Sequence, residues 1–226
     1  MSIWKLLESL AIPVNNKALI ENAFVHASYV NEANIALDDN ERLEFMGDAV
    51  LQVLVSERLF NHKDKLSEGD MTLYRARLVY EKALAGYSRT LGLNQYLKLG
   101  LGEEKHGGRE RVSIIADLFE SFIGALYLDS GVDSVNIVLD KVMGDALVNL
   151  EELGITDYKT KLQEFIQSDT RKSVSYEVVG VEGPSNAPEF EVVVKLDQLT
   201  FGRGKGMSKK KAEQRAAKDA FDKLVK

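Results

Sequence analysis

Apolar residues recur at three-to-four spacing along the first two thirds of the chain, in segments 17–30, 41–60, 69–91, 113–129 and 132–150. That period predicts a series of amphipathic helices, with no strand pattern among them. A helix of weaker periodicity opens the chain, and glycines at Gly100, Gly102, Gly107 and Gly108 mark connectors. The pattern changes after Gly154. A short helix around Thr160–Ser168 precedes alternating stretches at Val174–Val179 and Phe190–Leu196. Asp197-Gln198 reads as a hairpin turn into Leu199–Gly202. Ser208 is a good N-cap for a last helix with Ala212, Ala216, Ala220 and Leu224 on one face. The expected architecture is therefore an all-α domain, 1–150, a short polar hinge, 151–156, and a small α+β domain of order α-β-β-β-α, 157–226.

Composition narrows the class. The 226 residues are 45% hydrophobic and 28% charged, as in an ordinary soluble protein. The longest apolar runs, such as VLQVLV, fall well short of the ~20 residues that span a bilayer. MSIWKLLESLAI carries an internal Glu and no cleavage pattern, so no secretory leader is expected. There is no cysteine, which excludes disulfides and thiolate metal sites. A cytoplasmic, membrane-free protein is the expectation. The net charge of −6 hides an asymmetry: residues 157–226 hold 14 Lys and Arg against 11 Asp and Glu. An acidic body with a basic tail suggests one part that handles cations and one that handles an anionic polymer.

The acidic residues of NERLEFMGDAV carry the first chemistry. On a helix Glu41, Glu44 and Asp48 line one stripe, three and four residues apart, and they repel unless a cation sits among them. Asp117 and Glu120 form a second pair on the apolar helix of IADLFESFIGALYLD. Gly47 and Gly124 would let the two helices approach closely. Five carboxylates on two apolar helices, without cysteine, suit a hard divalent ion such as Mg²⁺. Such an ion can generate hydroxide, polarise a phosphoryl oxygen and stabilise a leaving alkoxide. The plainer alternative is solvated helix faces or structural ion pairs. In SKKKAEQRAAKDAF, Lys209, Lys210 and Lys211 fill a first helical turn, where cations oppose the helix dipole unless an anion binds. A solvated lysine face is the alternative there.

NERLEFMGDAV resembles the signature of the ribonuclease III family of double-stranded-RNA endonucleases. The resemblance extends over HASY at 26–29, EGDMTLYRARLV at 68–79 and GLGEEKHGGRERVSIIADLFESFIGALYLD at 100–129. DYKTKLQEF and GRGKGMSKKKAEQRAA resemble the double-stranded-RNA-binding motif. The resemblance implies a metal-dependent endoribonuclease that hydrolyses phosphodiester bonds and leaves 5′-phosphate and 3′-hydroxyl ends. It implies Mg²⁺, with Mn²⁺ as a substitute, and no organic cofactor. Glu44, Asp117 and Glu120 match the family's metal ligands, and Asp48 and Glu120 its active-site acids. Glu41 matches a position at the subunit interface near substrate. A homodimer is implied, each protomer cutting one strand, with Phe45 facing either the partner or the core. The RNA contacts implied are Thr160, Gln163 and Glu164, the GPSNAPEF loop with Asn186 where the family commonly has His, and Lys209, Lys210 and Lys211. Arg109 is expected to touch RNA from its loop. His26 is expected to tie a helix end to its neighbour. Processing of ribosomal RNA precursors and of messages follows by analogy. A non-cleaving RNA-binding relative would be expected to lack one of the four central carboxylates, and all four are present. A phosphohydrolase of small nucleotides would leave the C-terminal domain without a task.

Overall fold

The first arm of helix α8, Val112–Val148, is apolar on nearly every side up to Leu126, as a helix in the middle of a core must be. Ile115, Leu118, Phe119, Phe122, Ile123 and Leu126 are all fully buried. In this computed structural model, which describes residues 2–33, 37–150, 158–170, 173–184, 187–197 and 199–224, helices α4, Glu41–Phe60, and α6, Glu81–Thr90, pack against it. The other α-helices among the described residues of this unit are α1, Ile3–Ser9, α2, Lys17–Asn22, α3, Ala27–Ala33, α5, Glu68–Leu78, and α7, Leu101–Lys105. α8 is broken at Gly131, whose φ of 82° and ψ of −173° suit glycine and strain any other residue. The two expected segments, 113–129 and 132–150, are the two arms of this broken helix. Just before the break, the Asp129 carboxylate accepts hydrogen bonds from the backbone N–H of Asn15 and Asn16, tying the N-terminal segment down.

Two of the expected helices are pairs. The 17–30 segment is interrupted because Val25 bridges Lys98 in parallel, with Lys98 N–H donating to the Phe24 carbonyl at 2.7 Å. The 69–91 segment breaks at Tyr80, whose extended ψ of 154° makes it the N-cap residue of α6. Periodicity cannot register either break, since apolar spacing continues through both.

The chain divides into two compact units, Met1–Ile155 and Thr156–Lys226. The expected hinge, 151–156, lies outside the described residues. The second unit runs α9, Tyr158–Thr170, β1, Val174–Glu182, β2, Glu189–Leu196, β3, Leu199–Gly206, and α10, Lys209–Leu224. Its sheet is antiparallel in the order β1-β2-β3, with Val194 paired to Tyr176 on one side and Gly202 on the other. Val192 and Val194 meet Leu162 and Ile166 of α9 and Ala212, Ala216 and Ala220 of α10 in one apolar core. β3 and α10 touch backbone to backbone. A Cβ on Gly202 would lie 2.4 Å from the Ala216 carbonyl oxygen, and one on Gly204 2.3 Å from the Ala216 nitrogen.

Candidate metal centre and nucleic-acid surface

α4 and α8 cross at two glycines. A Cβ on Gly47 would lie 1.8 Å from the Glu120 carbonyl oxygen, and one on Gly124 2.2 Å from the Leu43 carbonyl oxygen. The backbones are therefore in contact, and side chains on either flank of the crossing are brought together. Glu44 from α4 and Asp117 and Glu120 from α8 converge there, each offering a carboxylate oxygen within 4.8 Å of the others. All three are half-buried. Asp48 lies one turn along α4, exposed, and accepts a 3.4 Å hydrogen bond from Gln52 Nε2. Glu41 is exposed at the start of the helix.

The electrostatics are one-sided. Burial, followed by the charges of Asp48, Asp117 and Glu44, pushes the Glu120 carboxyl up to about 8. Burial and then Asp117, Glu41, Asp39 and Asp48 raise Glu44. Burial and Glu81 raise Asp117, while His26 draws it down. Half-buried carboxylates that raise one another's proton affinity form a site that a cation would stabilise. All-oxygen donors of this hardness fit Mg²⁺, Mn²⁺ or Ca²⁺ rather than a soft transition metal.

Two neighbours of this cluster, Asp39 and Glu81, carry no local sequence signal. Glu81 stands in a different helix from Asp117, 36 residues away, and only the packing of α6 against α8 makes them neighbours. His26 holds its expected structural place. Its N–H donates to the Lys98 carbonyl, its Nδ1 lies 2.8 Å from the Ser28 hydroxyl, and that hydroxyl accepts from Gly100 N–H.

In the second unit, Lys209, Lys210 and Lys211 open α10 on an exposed turn. Ser208 caps that turn, its hydroxyl accepting from Lys211 N–H at 3.2 Å. Thr160, Gln163 and Glu164 of α9 line one shallow groove with Lys210. Lys159, at the edge of that groove, pairs with Glu213 at 2.7 Å and stacks over the Tyr176 ring. Asn186 lies outside the described residues. Arg109, in the first unit, is tied to the preceding helix α7 and to the turn at Asn94. Its guanidinium grips both Glu104 oxygens, at 2.9 and 2.6 Å, and the Asn94 carbonyl at 2.7 Å.

A family model described as Ribonuclease-III-like matches residues 16–147, and one described as Double-stranded RNA binding motif matches 158–224. Ribonuclease 3 of Streptococcus gordonii is 47% identical over 219 residues, 96% of this chain and 94% of its own length. That of Streptococcus mutans is 46% identical over 221 residues, 97% of this chain and 96% of its own. This chain belongs to the ribonuclease III family. The two matched segments, a ribonuclease III nuclease domain followed by a double-stranded-RNA-binding motif, make it a double-stranded-RNA endoribonuclease. Among solved structures, the ribonuclease III nuclease domain of Campylobacter jejuni superposes with a TM-score of 0.57 at 37% identity. It covers 63% of this chain and 99% of that one. The ribonuclease III signature, NERLEFMGDAV, thus occupies Asn40 and the first half of α4, and its glycine is the residue that admits the α8 backbone.

Proposed function

We propose that the chain hydrolyses both strands of double-stranded RNA with Mg²⁺ held by Glu44, Asp117 and Glu120, leaving 5′-phosphate and 3′-hydroxyl ends. The convergence of these three carboxylates from two helices carries the reading. Bound there, the ion would activate water for attack on phosphorus and stabilise charge on the phosphate and on the leaving oxygen. Asp48, exposed and near enough for its charge to raise Glu120, would orient groups at the same centre, and Glu41 would extend the acidic edge toward substrate. Lys209, Lys210 and Lys211 hold phosphates, while Thr160, Gln163 and Glu164 and the Asn186 loop meet the minor groove, a shape-based mode of recognition. Arg109 would reach RNA only after releasing Glu104, so its first role is to brace the loop.

One carboxylate set per chain serves one strand, and a two-fold homodimer supplies the second. α4 supports this with an exposed apolar stripe: Phe45 is 79% exposed, and Val53 and Phe60 follow at helical spacing. Phe45 is not a core residue of the single chain. The Campylobacter jejuni structure is itself described as flexible in a region involved in dimer formation. Maturation of ribosomal RNA precursors and processing of messages would be the cellular work. Magnesium, calcium or EDTA added to a defined duplex and read on native and denaturing gels tests the reading. Discrete cuts on both strands with Mg²⁺, and intact bound duplex with Ca²⁺ or EDTA, are expected. Binding without cuts in every condition would leave a non-cleaving RNA binder.

A further inference from the structure

Asn is among the best N-cap residues, yet Asn40, at that position on α4, makes no side-chain cap hydrogen bond. The first turn is served instead by Asp39, whose carboxylate accepts from Glu41 N–H at 3.2 Å. Asn40 turns inward and is only 4% exposed. Its Nδ2 donates to the Ala23 carbonyl and to the Ser121 hydroxyl, both at 3.3 Å. Ser121 is fully buried, and its hydroxyl lies 2.8 Å from the Ala23 carbonyl and 2.9 Å from that of Leu118, to either of which it can donate. The Asn40 main chain is held as well, its N–H donating to the Val25 carbonyl at 2.8 Å.

The placement of this junction matters. Ser121 directly follows Glu120, and the Asn40 carbonyl accepts from Glu44 N–H at 2.9 Å. The Gly47–Gly124 contact sets how close the two helices come, but a seam of small residues does not by itself fix how far one slides along the other. Glu44 and Glu120 face each other across it, each with a carboxylate oxygen within 4.8 Å of the other. Directional hydrogen bonds between buried groups resist such a slide better than apolar contacts do.

We infer that Asn40 and Ser121 are positioning residues that lock the register of α4 on α8, so that Glu44 faces Asp117 and Glu120 at a spacing one divalent ion can bridge. The inference rests on the metal reading above. Loss of the lock lets the carboxylates relax apart and weakens metal binding while the duplex is still bound. Supporting contacts behind metal ligands typically change affinity by about 10- to 100-fold.

The experiment measures Mn²⁺ binding to the full chain by calorimetry, in the wild type, Asn40→Ala, Ser121→Ala and the double variant. Val138→Ala, a fully buried position in the far arm of α8, is the stability control. About a tenfold or greater rise in the Mn²⁺ Kd is expected for both single variants. The double variant should lose little more, because the pair acts as a unit. The half-saturating Mg²⁺ concentration for cleavage should rise in step, with kcat recovered at high Mg²⁺. Val138→Ala should lower Tm without moving either metal midpoint. Ser121→Ala keeps a strong helix former, so the test stands if Asn40→Ala does not fold. Wild-type metal affinity in a folded lock variant overturns the lock, as does an equal shift in Val138→Ala. A wild type that binds no divalent ion sinks the metal centre and the lock together.

Discussion

At the residue scale, Glu120 concentrates the chemistry. Its carboxyl is raised to about 8 by burial and then by Asp48, Asp117 and Glu44. The folded metal-free chain therefore holds a proton that the unfolded chain releases near the ordinary value of 4.5. Stability contributed by this group is fully present below about pH 4.5 and is lost as pH rises through about 8. Glu44 and Asp117, raised for the same reasons, act in the same direction. Thermal unfolding in EDTA should show Tm falling from pH 5 to pH 8, and Mg²⁺ should restore it. Glu120→Gln should be more stable than the wild type at pH 8 in EDTA by about 1–3 kcal/mol, the half-exposed carboxylate keeping part of its hydration. That corresponds to several degrees in Tm. The same variant should lose cleavage and keep duplex binding. Identical melting of the variant and the wild type at every pH would remove the electrostatic argument.

At the element scale, the decisive contacts are between backbones. Gly47→Ala places a methyl group within 1.8 Å of the Glu120 carbonyl, which neither helix can yield to without separating. Destabilisation of about 3 kcal/mol or more is expected, with loss of cleavage, because the carboxylates proposed to hold the metal flank the same helix crossing. Gly204→Ala meets α10 in the same way, 2.3 Å from the Ala216 nitrogen. It should unfold the RNA-binding unit, seen as lost duplex binding and altered circular dichroism, while metal binding at the carboxylates survives. These glycines also explain what periodicity could and could not read. Helix 41–60 was legible because its apolar face repeats without interruption. β3 was expected only to Gly202 but runs to Gly206, since GRGKG lacks strand propensity and owes its strand form to the helix pressed against it. The α2–α3 break was invisible because the Val25–Lys98 bridge joins residues more than 70 apart.

At the scale of the whole molecule, two surfaces remain to be used. Lys209→Ala with Lys210→Ala should weaken duplex binding and flatten its dependence on salt by about one to two units of log K per log salt. Unchanged affinity at moderate salt would end the role given to that turn. Phe45→Asp should convert a dimer to a monomer in sedimentation velocity, since a charge at the centre of an apolar contact cannot be desolvated without large loss. A variant that sediments as the wild type would show that the partner lies elsewhere. Among the described residues no helix is long and apolar enough to cross a membrane. By itself the sequence determined the element types, the change from helical to alternating pattern after Gly154, the five carboxylates and the lysine turn, because spacing and charge are local properties. Only the tertiary structure decided that Glu44 meets Asp117 and Glu120, that Asp39 and Glu81 join their field, and that Asn40 turns from cap to buried contact. Each of those depends on how helices far apart in the chain pack: the α4–α8 distance is set by glycines whose partners stand about 70 residues or more away, and Glu81 reaches Asp117 only through α6 packed on α8.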